Sequence, residues 1–316
     1  WAATEIAFPA EGVAYADSVL EIGIPLADFI GDLRPGNSVN MRLVVETPDG
    51  AAALFPADGL AVATMPDAAI PNVVLEVADP EGDDYGPGSY LYPRDVVFRR
   101  GAYDLTDFIV GSDDQDVIFR VNFRGPVEND WGAPNGMGII TADIYIDVDG
   151  PDNGDRLLLP GRNAALTADH AWDYAIWAEG WTPGVYRPGE EGPVQVDGQI
   201  NILTNAGQQR ITIRVPRSML PGDPADWSYA VTVASQEGYP SAGVWRIRDV
   251  QPTAEQWRVG GSLDDTNHTR LIDVLYPESG QQEALLSGYE SSSEDVGLLG
   301  PDDFGQVPMV NATTAE

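Results

Sequence analysis

The segment Asp79-Pro80-Glu81-Gly82-Asp83-Asp84 places four carboxylates beside one glycine. It follows a short apolar run at Val73–Val77 that predicts a strand. A tight turn at the end of a strand can direct several carboxylate oxygens at one cation, and Ca²⁺ takes roughly six to eight oxygen ligands. The segment therefore predicts a calcium site formed by these carboxylates. A plain acidic turn is the alternative, because Asp and Gly are favoured in turns in any case.

A second acidic segment follows the predicted strand Ile144–Val148 and reads Asp147-Val148-Asp149-Gly150-Pro151-Asp152-Asn153-Gly154-Asp155. Its first two carboxylates, Asp147 and Asp149, are candidate ligands for another Ca²⁺. The spacing does not match the EF-hand loop, because Pro151 occupies the position where a third ligand is needed. The same alternative applies, namely an acidic turn without an ion.

Aromatic residues cluster in the segment Trp172–Trp181. If the segment is a strand, Trp177, Glu179 and Trp181 share one face and Tyr174 lies on the other. One face must belong to the core, and exposed tryptophan beside carboxylates suits a sugar ring, which has an apolar C–H face and a hydroxyl rim. Core packing is the commoner role of tryptophan. The candidate sugar-binding residues are Trp131, Trp177, Glu179 and Trp181, with the same ambiguity at Trp245 and Trp257.

Several catalytic templates have no residues to support them. The sequence has no Cys, no Lys and only two His, His170 and His268. It therefore lacks a phosphate-binding loop ending in Gly-Lys, a thiol nucleophile and a two-His zinc motif. Composition leaves glycoside hydrolysis open, because that reaction needs only two carboxylates and the chain has 50 acidic residues. Chance pairing is the simpler explanation of any such pair, and we predict that the chain is not an enzyme.

The charge balance restricts the partners of the chain. Fifty acidic residues face 17 basic ones, all of them Arg, for a formal net charge of -33. Such a surface repels nucleic acid and anionic lipid, whereas divalent cations and neutral glycans remain natural partners. No apolar run reaches the roughly 18 residues of a membrane helix, so we expect no membrane insertion.

The elements that must position these residues are strands. Short alternating runs such as Val117–Phe123 and Ile211–Val215 recur between turns that are rich in Gly, Pro, Asn and Asp. The segment Val194–Val215 predicts a hairpin that turns at Asn205–Gly207. The sequence therefore predicts an all-β fold, an antiparallel β-sandwich.

An internal similarity suggests how the chain is divided. Val19–Phe29 aligns with Arg210–Leu220, each a strand ended by proline and a short helical turn. We therefore predict that residues 1–68 are the trailing part of a first β-sandwich of the same type. Residues 69–310 then form a complete sandwich, followed by a tail at 311–316.

Read in order, several motifs of the second region resemble the C-terminal module of glucodextranases and of some pullulanases, over residues 71 to about 310. The motifs are Asp79–Tyr90, Tyr92-Pro93, Gly101–Leu105, Ile144–Asp149, Leu159–Asn163, Trp172–Ala175, Gly260-Gly261 and Ile272–Leu275. The resemblance implies a sandwich of jelly-roll or DOMON-like type, related to family-nine carbohydrate-binding modules. It also implies a non-catalytic, extracellular or cell-surface role. The resemblance also implies calcium near the opening motif, as is common in such sandwiches, with Asp79, Asp83, Asp84 and Asp104 as the ligands.

Two functions follow from these observations. The first is a carbohydrate-binding or cell-wall-anchoring module, a fragment of a larger surface protein or glycan-active enzyme, whose partner is a polysaccharide or wall glycan. The second is a structural repeat subunit of a surface layer or extracellular filament, whose partners are copies of itself or other surface proteins. The enzyme that such modules accompany has no counterpart in residues 1–70, so the fold is expected to carry over more securely than the binding role.

Overall fold

The computed structural model describes residues 13–16, 19–22, 38–46, 49–50, 52–64 and 69–312. The chain divides into two compact units, residues 1–68 and 69–316.

The described part of the first unit consists of antiparallel strand pairs. Its strands are β1 (Val13–Ala16), β2 (Val19–Ile22), β3 (Ser38–Met41), β4 (Leu43–Glu46), β5 (Ala52–Phe55) and β6 (Ala61–Thr64). β1 pairs with β2, β3 with β6, and β4 with β5. The helical turn predicted after Pro25 lies outside the described residues.

The second unit is built from short strands joined by long loops. Its strands are β7 (Leu75–Ala78), β8 (Leu105–Ser112), β9 (Asp116–Phe123), β10 (Ile140–Asp147), β11 (Ala164–Leu166), β12 (Tyr174–Ala178), β13 (Gly184–Arg187), β14 (Val194–Gln195), β15 (Asn201–Asn205), β16 (Arg210–Pro216), β17 (Ser228–Ser235), β18 (Val250–Gln251), β19 (Val259–Gly260), β20 (Leu271–Val274), β21 (Gly305–Val307) and β22 (Val310–Asn311). One α-helix, α1, spans Gln282–Ser287 among the residues described here.

Within residues 69–312, two antiparallel sheets form the body of this unit. The smaller sheet has the strand order β15-β16-β9-β8-β7, and the larger has the order β14-β13-β12-β10-β17-β20, with β22 also pairing with β17. Two short parallel pairs, β11 with β21 and β18 with β19, lie outside them. The predicted all-β, antiparallel sandwich is confirmed.

The alternation of side chains along the strands explains how the sheets pack. In β9, Val117, Phe119, Val121 and Phe123 share one face and are all buried. In β10, Ile144 belongs to the same cluster, which also includes residues of β12 and β17 from the larger sheet. We call this cluster, which draws on both sheets, the inner core.

The larger sheet is covered on its other face too. Tyr145 of β10 and Trp177 of β12 belong to a second cluster, which also contains Leu159, Leu286 of α1 and Val307 of β21. We call this cluster the outer core. Every residue of β10 is therefore buried, including the charged Asp143. The sandwich thus has a third layer made of loops, α1 and the β11–β21 pair.

Strand register places the loops that carry the candidate residues. Ile140 at the start of β10 lies opposite Ser235 at the end of β17, and Ala142 lies opposite Ala178 at the end of β12. The loops that follow β12 and β17 and precede β10 therefore meet at one end of the larger sheet. The second acidic segment, which begins at Asp147 at the other end of β10, lies at the opposite end.

Residues 311 and 312 also belong to this unit. Asn311 of β22 pairs with Ser228, and its side chain accepts a hydrogen bond of 2.5 Å from the Ser228 hydroxyl. Ala312 is buried in the inner core. Residues 311 and 312 thus pack with the strands of this unit.

Candidate functional site

Two tryptophans stand exposed as a pair on the second unit. Trp131 lies in the loop between β9 and β10, and Trp257 lies between β18 and β19. Their ring centroids are 6.2 Å apart with an angle of 54° between the rings, and the residues are 42% and 38% exposed. Both rings contact the buried Phe98, at centroid distances of 6.3 and 5.8 Å. We call Trp131, Trp257 and Phe98 the aromatic surface.

The loop that carries Trp131 is held in shape by one side chain. Asn129 accepts a hydrogen bond from the Ala133 N–H at 2.7 Å and donates to the Ala133 carbonyl at 2.9 Å. The Trp131 ring packs on Gly138, where a Cβ atom would come within 3.3 Å of the ring. The ring is therefore supported from the protein side, while the residue remains 42% exposed.

A buried arginine holds the backbone of Trp257 in position. Arg248 donates a hydrogen bond of 2.7 Å to the Trp257 carbonyl, and its guanidinium lies 4.9 Å from the centroid of the Phe98 ring. The same guanidinium forms an ion pair of 2.9 Å with Glu237. A cation over an aromatic face is attractive, and more so when it is desolvated. The aromatic surface is therefore prearranged, which lowers the entropic cost of binding a ligand.

Polar groups lie beside the aromatic surface. Gln256, next to Trp257, donates a hydrogen bond of 2.9 Å to Asp95. Arg99, next to Phe98, forms an ion pair with Glu128. Carboxylate, amide and guanidinium groups can exchange these bonds for bonds to sugar hydroxyls.

The structure places Trp177 in the outer core. The residue is only 7% exposed, its ring lies 5.4 Å from that of Trp245, and its Nε1–H donates to the Thr141 hydroxyl at 3.1 Å. Arg162 lies 5.6 Å from the ring centroid. With its ring surrounded in this way, Trp177 presents no face to a ligand, and it does not belong to the aromatic surface.

Glu179 and Trp181 follow β12 and lie at the end of the larger sheet where β10 begins. Glu179 is fully buried and accepts hydrogen bonds from the Thr182 N–H and from Gln236, the latter at 2.7 Å. Trp181 is half-buried beneath the guanidinium of Arg246, 5.7 Å from its ring centroid. Of the four predicted sugar-binding residues, Trp131 is thus the one on the aromatic surface.

The first acidic turn lies at an edge of the sandwich. Gly82 has φ of +90°, which permits the turn, and its N–H donates to both oxygens of Asp104 at 3.0 Å. Arg124 pairs with Asp104 at 3.0 Å and lies 3.7 Å from Glu81. Asp84 accepts a hydrogen bond from the Tyr92 hydroxyl. Asp84 and Asp104 are thus engaged by protein donors.

Asp79 and Asp83 have a third carboxylate beside them, that of Asp273 on β20. One oxygen from each of the three lies within 4.8 Å of the others. Asp273 is fully buried and accepts the backbone N–H of Leu105 at 2.7 Å and of Val274 at 2.9 Å. The structure thus joins two predicted ligands to one that sequence reasoning missed.

Burial and mutual repulsion shift the ionisation of these carboxylates. Burial raises the pKa of Asp79 to about 8, and repulsion from Asp83 adds to the rise. The hydrogen bond from the Tyr276 N–H acts in the opposite direction and lowers the pKa. Burial also raises the pKa of Asp83 to about 6. The pKa of Asp273 is raised well above its ordinary value for the same reason, with repulsion from Asp79 adding to it. The fold therefore holds three acids in an environment that disfavours their ionised forms.

The second acidic segment also brings three carboxylates together. Asp147, Asp149 and Asp173 each offer one oxygen within 4.8 Å of the others. Asp147 accepts the Gly150 N–H at 2.6 Å and lies 2.7 Å from Nδ1 of His170. Asp173 accepts a backbone N–H and Asp149 is exposed. Calcium at this cluster stays a prediction.

The missed residues left weak signals in the sequence. Asp273 stands in the apolar run Leu271–Leu275, where a charged side chain is unexpected unless it has a partner. Asp173 is next to Trp172, and Trp257, whose role the sequence leaves open between core packing and sugar contact, is isolated in a polar segment. Nothing in the local pattern links these residues to the acidic turns or to Trp131.

A two-sheet sandwich whose loops carry an exposed aromatic surface indicates a binding domain. A family model matches residues 74–301, and its description is the C-terminal binding module, SLH-like, of glucodextranase. The chain belongs to this family, and the resemblance seen in the sequence is confirmed. Among curated proteins none matches the chain significantly. In the part of the chain that the structure describes, we find no helix with the length and apolar character needed to cross a membrane.

Proposed function

We propose that the second unit is a non-catalytic, extracellular glycan-binding module that holds polysaccharide or cell-wall glycan on the aromatic surface. The observation that carries the proposal is the exposed pair of Trp131 and Trp257. Most large aromatic rings of this unit are buried, and two adjacent exposed tryptophans on ordered loops form an apolar patch of the kind that marks binding sites. The family, a binding module of a glucan-degrading enzyme, supports the same conclusion.

The geometry of the pair favours a curved chain. Two rings at 54° to one another form a bent platform, which two successive sugar units of a helical or flexible chain can follow. A flat crystalline surface would need rings lying in one plane. We therefore assign soluble α-linked glucans such as dextran or starch as the ligand class, ahead of crystalline cellulose.

Affinity electrophoresis of the chain in gels that contain dextran, starch or cell-wall preparations tests the proposal. We expect retardation by an α-glucan, and about tenfold or greater weakening in Trp131→Ala and Trp257→Ala, as is common when a central aromatic contact is truncated. Trp131→Tyr keeps a ring and should restore most of the binding. Tyr239→Ala removes an exposed ring outside the pair and is the control, expected to bind as the parent does.

Migration without retardation on every polymer would reject glycan binding. If the parent chain instead forms polymers that Trp131→Ala abolishes in sedimentation velocity, the aromatic surface joins copies of the chain. That result would establish the structural-subunit function.

A further inference from the structure

Asp79, Asp83 and Asp273 reach one point from different parts of the sandwich. Asp79 directly follows β7, the edge strand of the smaller sheet, and Asp83 lies in the turn after it. Asp273 lies on β20, the edge strand of the larger sheet. An oxygen of each lies within 4.8 Å of the others. Ca²⁺–oxygen distances of roughly 2.3–2.6 Å put two ligands of one ion at most about 5 Å apart, so the spacing fits a shared cation.

Two carboxylate oxygens of these residues have no hydrogen-bond partner in the part of the chain that the structure describes. Asp79 Oδ2 and Asp83 Oδ1 are buried and accept no hydrogen bond within the described residues. Asp79 is 7% exposed, and its other oxygen, Oδ1, accepts the Tyr276 N–H at 2.6 Å. A buried carboxylate oxygen without a donor is costly, and a metal ion is one of the few groups that remove the cost.

Among residues 69–312, no arginine or histidine forms an ion pair with the three acids. Arg124, beside the turn, pairs with Asp104 and Glu81. None of the ion pairs among residues 69–312 includes Asp79, Asp83 or Asp273. Three adjacent carboxylates without a counter-charge make a site of strongly negative potential, which attracts a small divalent cation.

We propose that Asp79, Asp83 and Asp273 bind one Ca²⁺ that fastens the two sheets together at their β7 and β20 edges. The donor set consists of oxygen alone, which selects a hard cation and disfavours zinc or copper. Ca²⁺ tolerates the irregular geometry of a site assembled from the turn after β7 and from β20, whereas Mg²⁺ requires near-octahedral ligands. The hydrogen bonds already made by Asp273 leave its remaining lone pairs free for the ion.

The ion would add to bonds that already cross this edge. The Leu105 N–H of the smaller sheet reaches Asp273, and the Gly86 N–H reaches the Ile272 carbonyl at 2.8 Å. Because the opening of this edge would separate Asp79 from Asp273, the ion binds the closed sandwich better than any opened state. Binding therefore stabilises the folded unit.

The experiment uses the whole chain after removal of metals with a chelator. Ca²⁺ is added in isothermal titration calorimetry, and thermal unfolding is followed with and without the ion. We expect a saturable site and a melting temperature that rises by several degrees in excess Ca²⁺. Mg²⁺ in place of Ca²⁺ should bind at least tenfold more weakly. Tighter binding of Mg²⁺ would overturn the choice of ion.

Asp79→Asn and Asp83→Asn are the test variants. Asp79→Asn keeps the oxygen that accepts from Tyr276 and changes only the unpartnered position, so the variant should fold. We expect each substitution to weaken Ca²⁺ binding more than tenfold and to remove the melting-temperature rise, with the metal-free melting temperature equal to or above that of the parent. Asp114→Asn, an exposed acid in a hairpin turn, changes the net charge equally and should keep the full response.

Two results would overturn the proposal. One is an unchanged melting temperature and no heat of binding when Ca²⁺ is added to the parent. The other is a response that survives in Asp79→Asn and disappears in Asp149→Asn, which would place the ion at the second acidic segment. Loss of Ca²⁺ binding does not by itself remove Trp131 and Trp257, so glycan binding is measured separately.

Discussion

Asp273 on β20 accepts a hydrogen bond of 2.7 Å from the backbone N–H of Leu105, the first residue of β8. A fully buried carboxylate of the larger sheet thereby satisfies a main-chain donor at the beginning of a strand of the smaller sheet. The same carboxylate lies beside Asp79 and Asp83. Stability at this edge therefore depends on how the excess negative charge is compensated, by protons or by a cation.

We predict that the metal-free chain loses stability as pH rises. Burial raises the pKa of Asp79 to about 8 and that of Asp83 to about 6, above the ordinary value of 3.8. The folded state therefore binds more protons than the unfolded state between about pH 4 and pH 8, and its stability decreases as pH rises through that range. Melting temperatures in chelator should be higher at about pH 5.5 than at about pH 8.5.

Saturating Ca²⁺ should flatten this dependence, since the ion replaces the protons. Asp79→Asn should also flatten it in chelator, because the variant has no proton to lose there. The prediction is contradicted if the parent in chelator and Asp79→Asn show the same dependence on pH.

Gly82→Ala should destabilise the second unit. The residue has φ of +90°, and an added Cβ would lie 3.1 Å from Nη1 of Arg124. Backbone strain of this kind costs about 1–3 kcal/mol, and the Arg124 guanidinium, which pairs with Asp104, must also shift slightly to make room for the Cβ atom. Urea unfolding measures the loss.

Gly150→Ala is the matched control, because Gly150 has φ of +91° and nothing within 4 Å of the added Cβ. The control isolates the backbone cost from the contact with Arg124. Equal destabilisation by the two substitutions would show that the Arg124 contact has no role.

The strands of the sandwich were predictable, because alternation along a half-buried strand is a local property. Val117–Phe123 shows it, and the observed β9 differs by one residue at its start. The burial of the Trp177 side chain was not predictable, since the loops that cover its face come from distant segments. Both faces of β12 are buried, so alternation does not show which ring meets solvent.

The acidic turn could be predicted from neighbouring residues in the sequence, whereas the third carboxylate of the cluster could not. Asp79 and Asp83 belong to one turn, but Asp273 joins them only because β7 and β20 are edge strands of the two packed sheets. Trp131 and Trp257 are likewise brought together by two loops far apart in sequence. In each site, the sequence pattern indicates the residues that are close together in the chain, and the topology of the fold brings the distant residues to them.

The buried pair of Asp143 and Arg162 should be a point of high sensitivity. Nε and Nη2 of Arg162 donate to the two oxygens of Asp143 at 2.6 and 2.9 Å, and both residues are fully buried. Removal of one partner leaves an uncompensated charge in the outer core, which costs about 3–5 kcal/mol. Arg162→Met should therefore lower the free energy of unfolding by that amount in urea.

Asp143→Asn on the Arg162→Met background should recover part of the loss, because no charge is then left buried. A double-mutant cycle measures the coupling between the two side chains. Strictly additive losses would mean that the two groups do not stabilise one another.

Trp177→Ala should separate stability from ligand binding. Because the Trp177 ring lies in the outer core against Trp245 and Tyr186, its removal leaves a cavity and costs about 3–5 kcal/mol. The folded fraction that remains at low temperature should still be retarded by an α-glucan, since the aromatic surface is intact. Trp131→Ala should show the reverse, with near-parental urea unfolding and weak retardation. Loss of glycan binding in a fully folded Trp177→Ala chain would show that sugar contacts Trp177, and the aromatic surface would have to be reassigned.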